Sequence, residues 1–255
     1  MSGFHVERNG TTAVLTIDRP KANAIDAATS KAMGDAFAEL DADLAVRAIV
    51  LTGAGPKFFS AGWDLSAGEE FDSDYGVGGF GGFPELPNRA TPVIAAVNGM
   101  AVGGGFEIAM AADLIVAADH AQFWLPEPAL GILPDAGAVR LARVLPPHVA
   151  REMLLTGRRM DATEAARWGL VAHVVAADEL LAAASSLADA IAVSAPLSVA
   201  ALLDIERRTV HLSTDEAMAA LKSLESYRRA IDSEDAVEGQ AACGGQAHQA
   251  CRYLA

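Results

Sequence analysis

The sequence predicts an α/β fold with much parallel strand pairing, followed by a helical C-terminal region. Short apolar strands alternate with helices up to about residue 175, as they do where crossover helices join parallel strands. Beyond that point only amphipathic helices are predicted. Hydrophobic residues make up 52 % of the 255 residues, which is enough for a large core. We therefore expect a core region at residues 1–178 and a helical region at residues 179–255.

Most predicted strands are apolar runs that end close to Gly, Pro or Asn. They lie at residues 13–17, 47–52, 92–97, 114–117 and 122–125, and the first of these is expected to be the first strand of the chain. The predicted helices carry apolar residues at intervals of three and four positions. They begin near residues 26, 106, 179, 197 and 214 and end near residues 40, 112, 192, 208 and 230.

Charge and composition disfavour several classes of function. The net charge of −14 argues against nucleic acid as a partner, because phosphate binding needs a basic surface. A small anionic ligand is still possible, since backbone N–H groups at a helix N-terminus can bind one. No long apolar run and no signal-peptide pattern is visible, so we expect no membrane association. The two cysteines, Cys243 and Cys251, make no disulfide framework, and we expect reduced thiols in a cytoplasmic protein.

A glycine-rich segment at residues 71–87 is expected to form a mobile loop. Residues 76–81 match the G-x-G-x-x-G dinucleotide pattern, but no predicted strand precedes them and residues 82–84 cannot open the required helix. Residues 58–62 lack the first glycine of a nucleophile elbow, which argues against a serine hydrolase. No P-loop, HExxH or zinc-ligand spacing occurs, so we predict no metal site.

Two small-residue segments each follow a buried strand and can expose backbone N–H groups. They are residues 59–65 and residues 98–107, and the second ends on Glu107. Two interpretations remain open at this point. In the first, the glycines only allow tight packing between strand and helix, and Glu107 complements the helix dipole. Alternatively, the turns and the carboxylate belong to one site.

Glu127 favours the second interpretation. It follows Pro126 after an apolar strand, where a solvated loop glutamate would be the simplest explanation. It lies 20 residues beyond Glu107, however. That interval suits a helix, a turn and a short strand that bring the chain back to the same rim of the sheet. The two carboxylates are therefore candidates for a paired acid and base.

Several segments together resemble the enoyl-CoA hydratase/isomerase, or crotonase, superfamily over about residues 6–239. The matching segments, which occur in the family's order, are 18–25, 59–65, 98–107, 125–137, 155–160 and 166–171. Within the family, residues 21–26, 58–65 and 75–80 are most similar to carnitinyl-CoA dehydratases. The resemblance implies a spiral of ββα units, with C-terminal helices that build a homotrimer or a dimer of trimers.

The same resemblance implies the site residues and the substrate. Glu107 and Glu127 match the catalytic carboxylates, and the N–H groups of Trp63 and Gly104 match an oxyanion hole that stabilises a thioester enolate. Coenzyme A is expected only as part of an acyl-CoA substrate, with no permanently bound cofactor. The residues that match the coenzyme A path are Ala22, Ala24, Ser60, Ala61, Gly62, Asp64 and Leu65.

The implied reaction is reversible hydration of a 2-enoyl-CoA thioester. Alternatives are isomerisation, thioester hydrolysis or a non-catalytic acyl-CoA-binding role, and the paired carboxylates favour hydration. The sequence leaves the identity of the acyl group open. Trp63 is either a cation–π partner for a trimethylammonium group or packs on the loop at 71–87.

Two departures from the family occur. Residues 137–140 are about one residue short, and the tail after Gly239 lacks the expected basic motif, so we expect weaker coenzyme A contacts there.

Overall fold

The computed structural model describes residues 3–70 and 73–244 of the chain. The chain divides into two compact units, Met1–Ala190 and Ile191–Ala255. This division lies within a helix, Leu180–Ala192, whereas the sequence analysis divides the chain just before that helix. The assembly role expected of residues 179–255 stays a prediction.

Ten strands lie in the described part of the first unit. They are β1 Phe4–Asn9, β2 Thr12–Ile17, β3 Ala48–Gly53, β4 Phe58–Ser60, β5 Val93–Val97, β6 Met100–Val102, β7 Leu114–Ala118, β8 Gln122–Trp124, β9 Met160–Asp161 and β10 His173–Val175. One sheet has the order β1-β2-β3-β5-β7-β10, and the other has the order β4-β6-β8-β9. Only the pairs β1–β2 and β8–β9 are antiparallel. The predicted α/β class with much parallel pairing is therefore confirmed.

The central strands β3 and β5 correspond to two of the apolar runs in the sequence. Every residue of β3 and β5 is buried, as expected for parallel strands that are covered on both faces. The edge strand β1 shows the opposite behaviour, because five of its six residues are exposed. The sequence analysis did not predict β1, and its expectation that residues 13–17 form the first strand was wrong.

Six α-helices complete the described part of the first unit. They are α1 Ala27–Ala42, α2 Gly104–Ala111, α3 Asp135–Val144, α4 Pro147–Thr156, α5 Ala162–Arg167 and α6 Leu180–Ala192, and Glu127–Leu130 forms a 3₁₀ turn. Helix α1 begins where Asp26 Oδ1 accepts a hydrogen bond from Thr29 N at 2.8 Å, which is an N-cap. Its buried residues Met33, Phe37 and Leu40 belong to the hydrophobic core.

The glycine-rich segment is a loop, as predicted, but it is packed against α1. Phe83 is 2 % exposed, and its ring centroid lies 4.8 Å from that of Phe37. Ser30 Oγ accepts a hydrogen bond from Gly81 N at 3.0 Å and donates one to Gly79 O at 3.0 Å. A buried hydroxyl and a buried ring therefore position this loop at the edge of the cavity described below.

The second unit contains four helices among its described residues. They are α7 Pro196–Thr209, α8 Thr214–Leu221, α9 Glu225–Ile231 and α10 Glu234–Gly244. The single helix predicted at 214–230 is in fact two, because Leu224 has an extended backbone (φ −68°, ψ 131°) just before α9. Helix α7 packs against α8 and α9. Exposed apolar side chains on these helices include Leu202, Val210, Met218, Ile231 and Val237.

Residues 245–255, which include Cys251 and most of the atypical tail, lie outside the described residues. In the part of the chain that the structure describes, no single helix is both long enough and apolar enough to cross a membrane. The segments Ala177–Ala192 and Pro196–Thr209 reach that length and composition only when they are counted as a pair.

Candidate active site

A cavity of about 580 Å³ lies within the first unit, where several loops and helix starts meet. Glu107 and Glu127 both line it, together with Trp63 and Gly104. The four residues for which the sequence predicted a catalytic role therefore face one cavity. The turn after β4, the start of α2 and the 3₁₀ turn at Glu127–Leu130 supply them.

Glycine is required where the turn after β4 meets α2. Gly62 has φ 80°, and a Cβ at this position would lie 2.7 Å from Gly104 N and 2.8 Å from Val102 O. The turn is held on its other side by Ile25, whose N–H donates to Gly62 O at 2.8 Å and whose carbonyl accepts from Asp64 N at 2.9 Å. The backbone of residues 62–64 is thus clamped between residue 25 and the first turn of α2.

The N-terminus of α2 directs polar backbone groups into the cavity. Gly103 caps the helix with φ 54° and ψ −127°, a conformation that residues with side chains rarely adopt. Gly104 is the first helical residue, so its N–H has no acceptor within the helix. The positive end of the helix dipole adds to this donor. The cavity therefore contains a position suited to a developing negative charge.

Glu107 lies in the first turn of α2 and is largely buried. Its Oε1 accepts a hydrogen bond from Gly137 N at 2.6 Å. Burial raises the pKa of Glu107 from its usual 4.5 to about 7, because the ionised form loses its hydration. The hydrogen bond from Gly137 opposes this rise, while the negative charges of Asp135 and Glu127 add to it. Near neutral pH this carboxyl group can therefore act as either acid or base.

Glu127 is 8 % exposed and begins the 3₁₀ turn after β8. Burial raises its pKa, its own backbone N–H lowers it, and the charge of Asp135 raises it further. Within the described residues, Glu127 Oε2 is buried without a hydrogen-bond partner. A Cβ on Gly103 would lie 2.3 Å from Glu127 Oε1, so the carboxylate rests directly on the turn that starts α2.

The residues predicted to follow coenzyme A fall into two groups. Ala61 and Leu65 line the main cavity, whereas Ala22 lines a second cavity of about 390 Å³ with Lys21 and Lys57. Ala61 N donates to Ala22 O at 2.9 Å, so a backbone hydrogen bond joins one residue that lines each cavity.

The other predicted path residues support the backbone. Ser60 Oγ donates to Asn23 O at 2.7 Å and accepts from Gly62 N at 3.0 Å. Arg19 binds Asp64 Oδ2 at 2.6 Å and Ala24 O at 2.8 Å. The side chains of Ser60 and Asp64 therefore hold the turn rather than face a ligand.

Three residues near the cavity were missed as site residues. Glu69 accepts hydrogen bonds from Ala27 N at 2.9 Å and from the indole N–H of Trp63 at 3.3 Å, and so orients that ring. Asp135 lines the cavity at the first position of α3. Arg140 donates to Pro84 O at 3.0 Å, and its charge opposes part of the rise in the pKa of Glu107 that burial causes. Only Asp135 gave a signal in the sequence, because it lies within a matched segment.

No group of three or more His, Cys, Asp or Glu side chains is arranged to hold a metal ion within residues 3–70 and 73–244. The chemically distinctive features of the cavity are two buried carboxyl groups and a helix N-terminus. Such an arrangement suits proton transfer next to a developing oxyanion.

Comparison with known proteins gives consistent results. The family model described as enoyl-CoA hydratase/isomerase matches residues 7–245. Carnitinyl-CoA dehydratase from Escherichia coli K12 is 53 % identical over 242 residues, which cover 92 % of this chain and 93 % of that protein. The corresponding Salmonella arizonae enzyme is 54 % identical, with the same coverage.

Solved structures agree in fold. An enoyl-CoA hydratase from Mycobacterium tuberculosis H37Rv superposes with a TM-score of 0.87 at 36 % identity, and 96 % of each chain is covered. A carnitinyl-CoA dehydratase from Mycobacterium avium 104 gives a TM-score of 0.75 at 44 % identity, covering 93 % of this chain and 95 % of that one.

The raised pKa of Glu107 predicts a pH-dependent stability. Because the folded-state pKa lies above the value of 4.5, the stability contributed by protonated Glu107 is present below about pH 4.5 and is lost as pH rises through about 7. The variant Glu107→Gln keeps a neutral side chain at every pH. We measure the free energy of unfolding of both proteins by urea titration. The value for the variant minus the value for the wild type should increase by about 3 kcal/mol between pH 4.5 and about pH 8. A constant difference between the two proteins would contradict the raised pKa.

Proposed function

Because this chain belongs to the enoyl-CoA hydratase/isomerase family, we propose that Glu107 and Glu127 are the acid–base pair with which it hydrates and dehydrates a 2-enoyl-CoA thioester. The activity class is that of a hydro-lyase, in keeping with relatives named carnitinyl-CoA dehydratase and enoyl-CoA hydratase. The observation that carries the proposal is the placement of two buried carboxyl groups with raised pKa values in one cavity.

The thioester oxygen accepts hydrogen bonds from the N–H groups of Trp63 and Gly104. Both residues line the cavity, and Gly62 brings the turn before Trp63 against the first turn of α2. Dehydration and hydration both pass through an enolate whose negative charge lies on this oxygen. Fixed backbone donors at a helix N-terminus stabilise that charge without reorganising.

The two glutamates then exchange protons with the substrate. In dehydration, one carboxylate removes the proton from C2, and the other, as the acid, protonates the C3 hydroxyl group, which leaves as water. In hydration the same steps run in reverse, with water attacking C3 and a proton delivered to C2. One glutamate must hold a proton while the other is ionised. Burial and mutual repulsion favour this shared state.

The acyl group proposed is that of carnitinyl-CoA, which dehydration converts to the trimethylammonio-substituted 2-enoyl-CoA. The support is more than half identity to carnitinyl-CoA dehydratases over nearly the whole chain. The coenzyme A portion passes along residues 22–24 and 61–65 towards the cavity that contains Lys21 and Lys57. Their positive charges suit its phosphate groups. The reaction uses no permanently bound cofactor, and the cytoplasm is the expected compartment.

Replacing either glutamate by glutamine should test the acid–base pair directly. Glu107→Gln and Glu127→Gln keep the shape of the side chain and remove its ability to exchange a proton. We expect kcat for hydration of crotonobetainyl-CoA, followed by loss of the 2-enoyl absorbance, to fall at least about 10²-fold in each. Glu39→Gln, on the exposed side of α1, is the control and should leave kcat unchanged. A near wild-type kcat in either test variant would remove that residue from its proposed role.

Substitution of Gly103 should lower kcat about as much as substitution of either glutamate. In Gly103→Ala the added methyl group meets Glu127 Oε1, so the carboxylate has to move. Misplacing a catalytic group by about 1 Å can cost about 10² in rate, and we expect a loss of kcat of that order. Gly10→Ala is the control, because Gly10 also has positive φ (63°) but nothing within 4 Å of an added Cβ. Equal losses in both variants would attribute the effect to backbone strain instead.

The chain is also proposed to form a homotrimer or a dimer of trimers. The support is the exposed apolar surface of the second unit, which includes Leu202, Met218 and Val237. Exposed apolar patches of this kind usually mark interaction surfaces. Light scattering at micromolar concentration should give three or six times the chain mass of 26.4 kDa. A monomer under these conditions would contradict the proposal.

A further inference from the structure

The wall of the main cavity carries several negative charges. Its carboxylate residues are Asp74, Glu85, Glu107, Glu127 and Asp135, and no lysine, arginine or histidine occurs among the described residues that line it. Some of this charge is already compensated. Lys31 Nζ lies 2.8 Å from Asp74. Burial lowers the pKa of the Arg140 guanidinium, and the nearby charge of Glu85 opposes that decrease.

Asp135 differs from these residues. Its Oδ1 accepts a hydrogen bond from Ala136 N at 2.7 Å. Across the described residues, no cationic side chain lies within ion-pair distance of it. Its charge raises the pKa of both Glu107 and Glu127, so it lies beside the reacting centre. Glu127, with one buried carboxylate oxygen that lacks a partner, faces the same space.

Aromatic rings line another part of the same cavity. Tyr75 and Phe80 form an edge-to-face pair with ring centroids 5.2 Å apart. A Cβ on Gly104 would lie 2.6 Å from Phe80 Cε1, so this ring lies against the start of α2. Phe80 and Glu107 therefore both lie at the start of α2 within one cavity, which Asp135 also lines.

We propose that Asp135, with the aromatic pair Tyr75 and Phe80, binds a quaternary ammonium group on the acyl chain and so selects a cationic substrate. This inference rests on the proposed function and adds the residues that determine its specificity. A trimethylammonium group has no N–H with which to form a directed ion pair. It is bound instead by a nearby unpaired charge and by aromatic faces. The uncompensated carboxylate and the two rings supply both.

The negative charge of the cavity also determines which acyl groups bind poorly. An acyl group that ends in a carboxylate would face Asp135 and the ionised member of the glutamate pair at short range, which is unfavourable. A neutral acyl group would gain nothing from Asp135. Selection therefore depends on Asp135 at the start of α3 and on the two rings, none of which exchanges a proton with the substrate in the proposed acid–base step.

The test compares two ligands of the same shape. 4-Trimethylammoniobutanoyl-CoA carries the cation, whereas in 5,5-dimethylhexanoyl-CoA a carbon replaces the nitrogen, and neither ligand can react at C2–C3. By calorimetry, the wild type should bind the cationic ligand about tenfold more tightly, a difference of about 1.4 kcal/mol. Asp135→Asn should lose most of that preference while binding the neutral ligand unchanged. Asp215→Asn, an exposed aspartate in the first turn of α8, is the matched control and should keep the preference.

Kinetics separate this proposal from the proposed function. With each protein measured at its own pH optimum, Asp135→Asn should lower kcat/KM for crotonobetainyl-CoA about tenfold more than kcat/KM for crotonyl-CoA. Phe80→Leu should raise KM for the cationic substrate more than for the neutral one. Equal losses on both substrates, or no preference between the two ligands in the wild type, would overturn the role of Asp135. Wild-type protein that hydrates neither substrate would instead contradict the proposed function.

Discussion

The close approach of two backbones is the constraint on which the rest of the site depends. The turn after β4 touches the start of α2 so closely that a Cβ at Gly62 would meet Gly104 N, and one at Gly105 would lie 2.2 Å from Ser60 O. Only glycine permits this contact. It brings the turn that carries Trp63, one proposed donor, against Gly104, the other proposed donor, and it places Gly103 against the Glu127 carboxylate. A glycine cluster that looks like simple packing in the sequence thus determines the geometry of the chemistry.

The site also depends on the shielding of the Glu107 and Glu127 carboxyl groups from water. Glu107 sits in the first turn of α2 with one backbone N–H as a partner, and Glu127 has an oxygen with none among the described residues. Leaving a buried acceptor unsatisfied is costly, and native structures seldom do so without a reason. A substrate or a water molecule between the two groups would supply the missing partner.

Much of this was predictable from the sequence, and the failures have physical causes. The parallel core follows from local patterns, since every residue of the apolar run β3 is buried. The glutamates and the glycine turns were candidates from their spacing, and their proposed roles came from the family resemblance. The edge strand β1 was missed because its apolar alternation is limited to Phe4 and Val6, and five of its six residues are exposed. The break between α8 and α9 depends on the extended backbone of Leu224, which no glycine or proline marks. Asp135 lies in a segment that matches the family, but its effect on Glu107 depends on the fold, which brings α2 and α3 together.

The substrate proposed for this cavity also bears on the proton balance of the pair. In the free protein, burial and the charge of Asp135 push the pKa values of both glutamates upward. A fixed positive charge bound beside Asp135 acts in the opposite direction, because it stabilises the ionised form of each nearby carboxyl group. Binding a cationic acyl group would therefore promote ionisation of one glutamate at the moment when a base is needed. A neutral acyl group cannot do this, so the same residues that favour binding of the cation also favour its reaction.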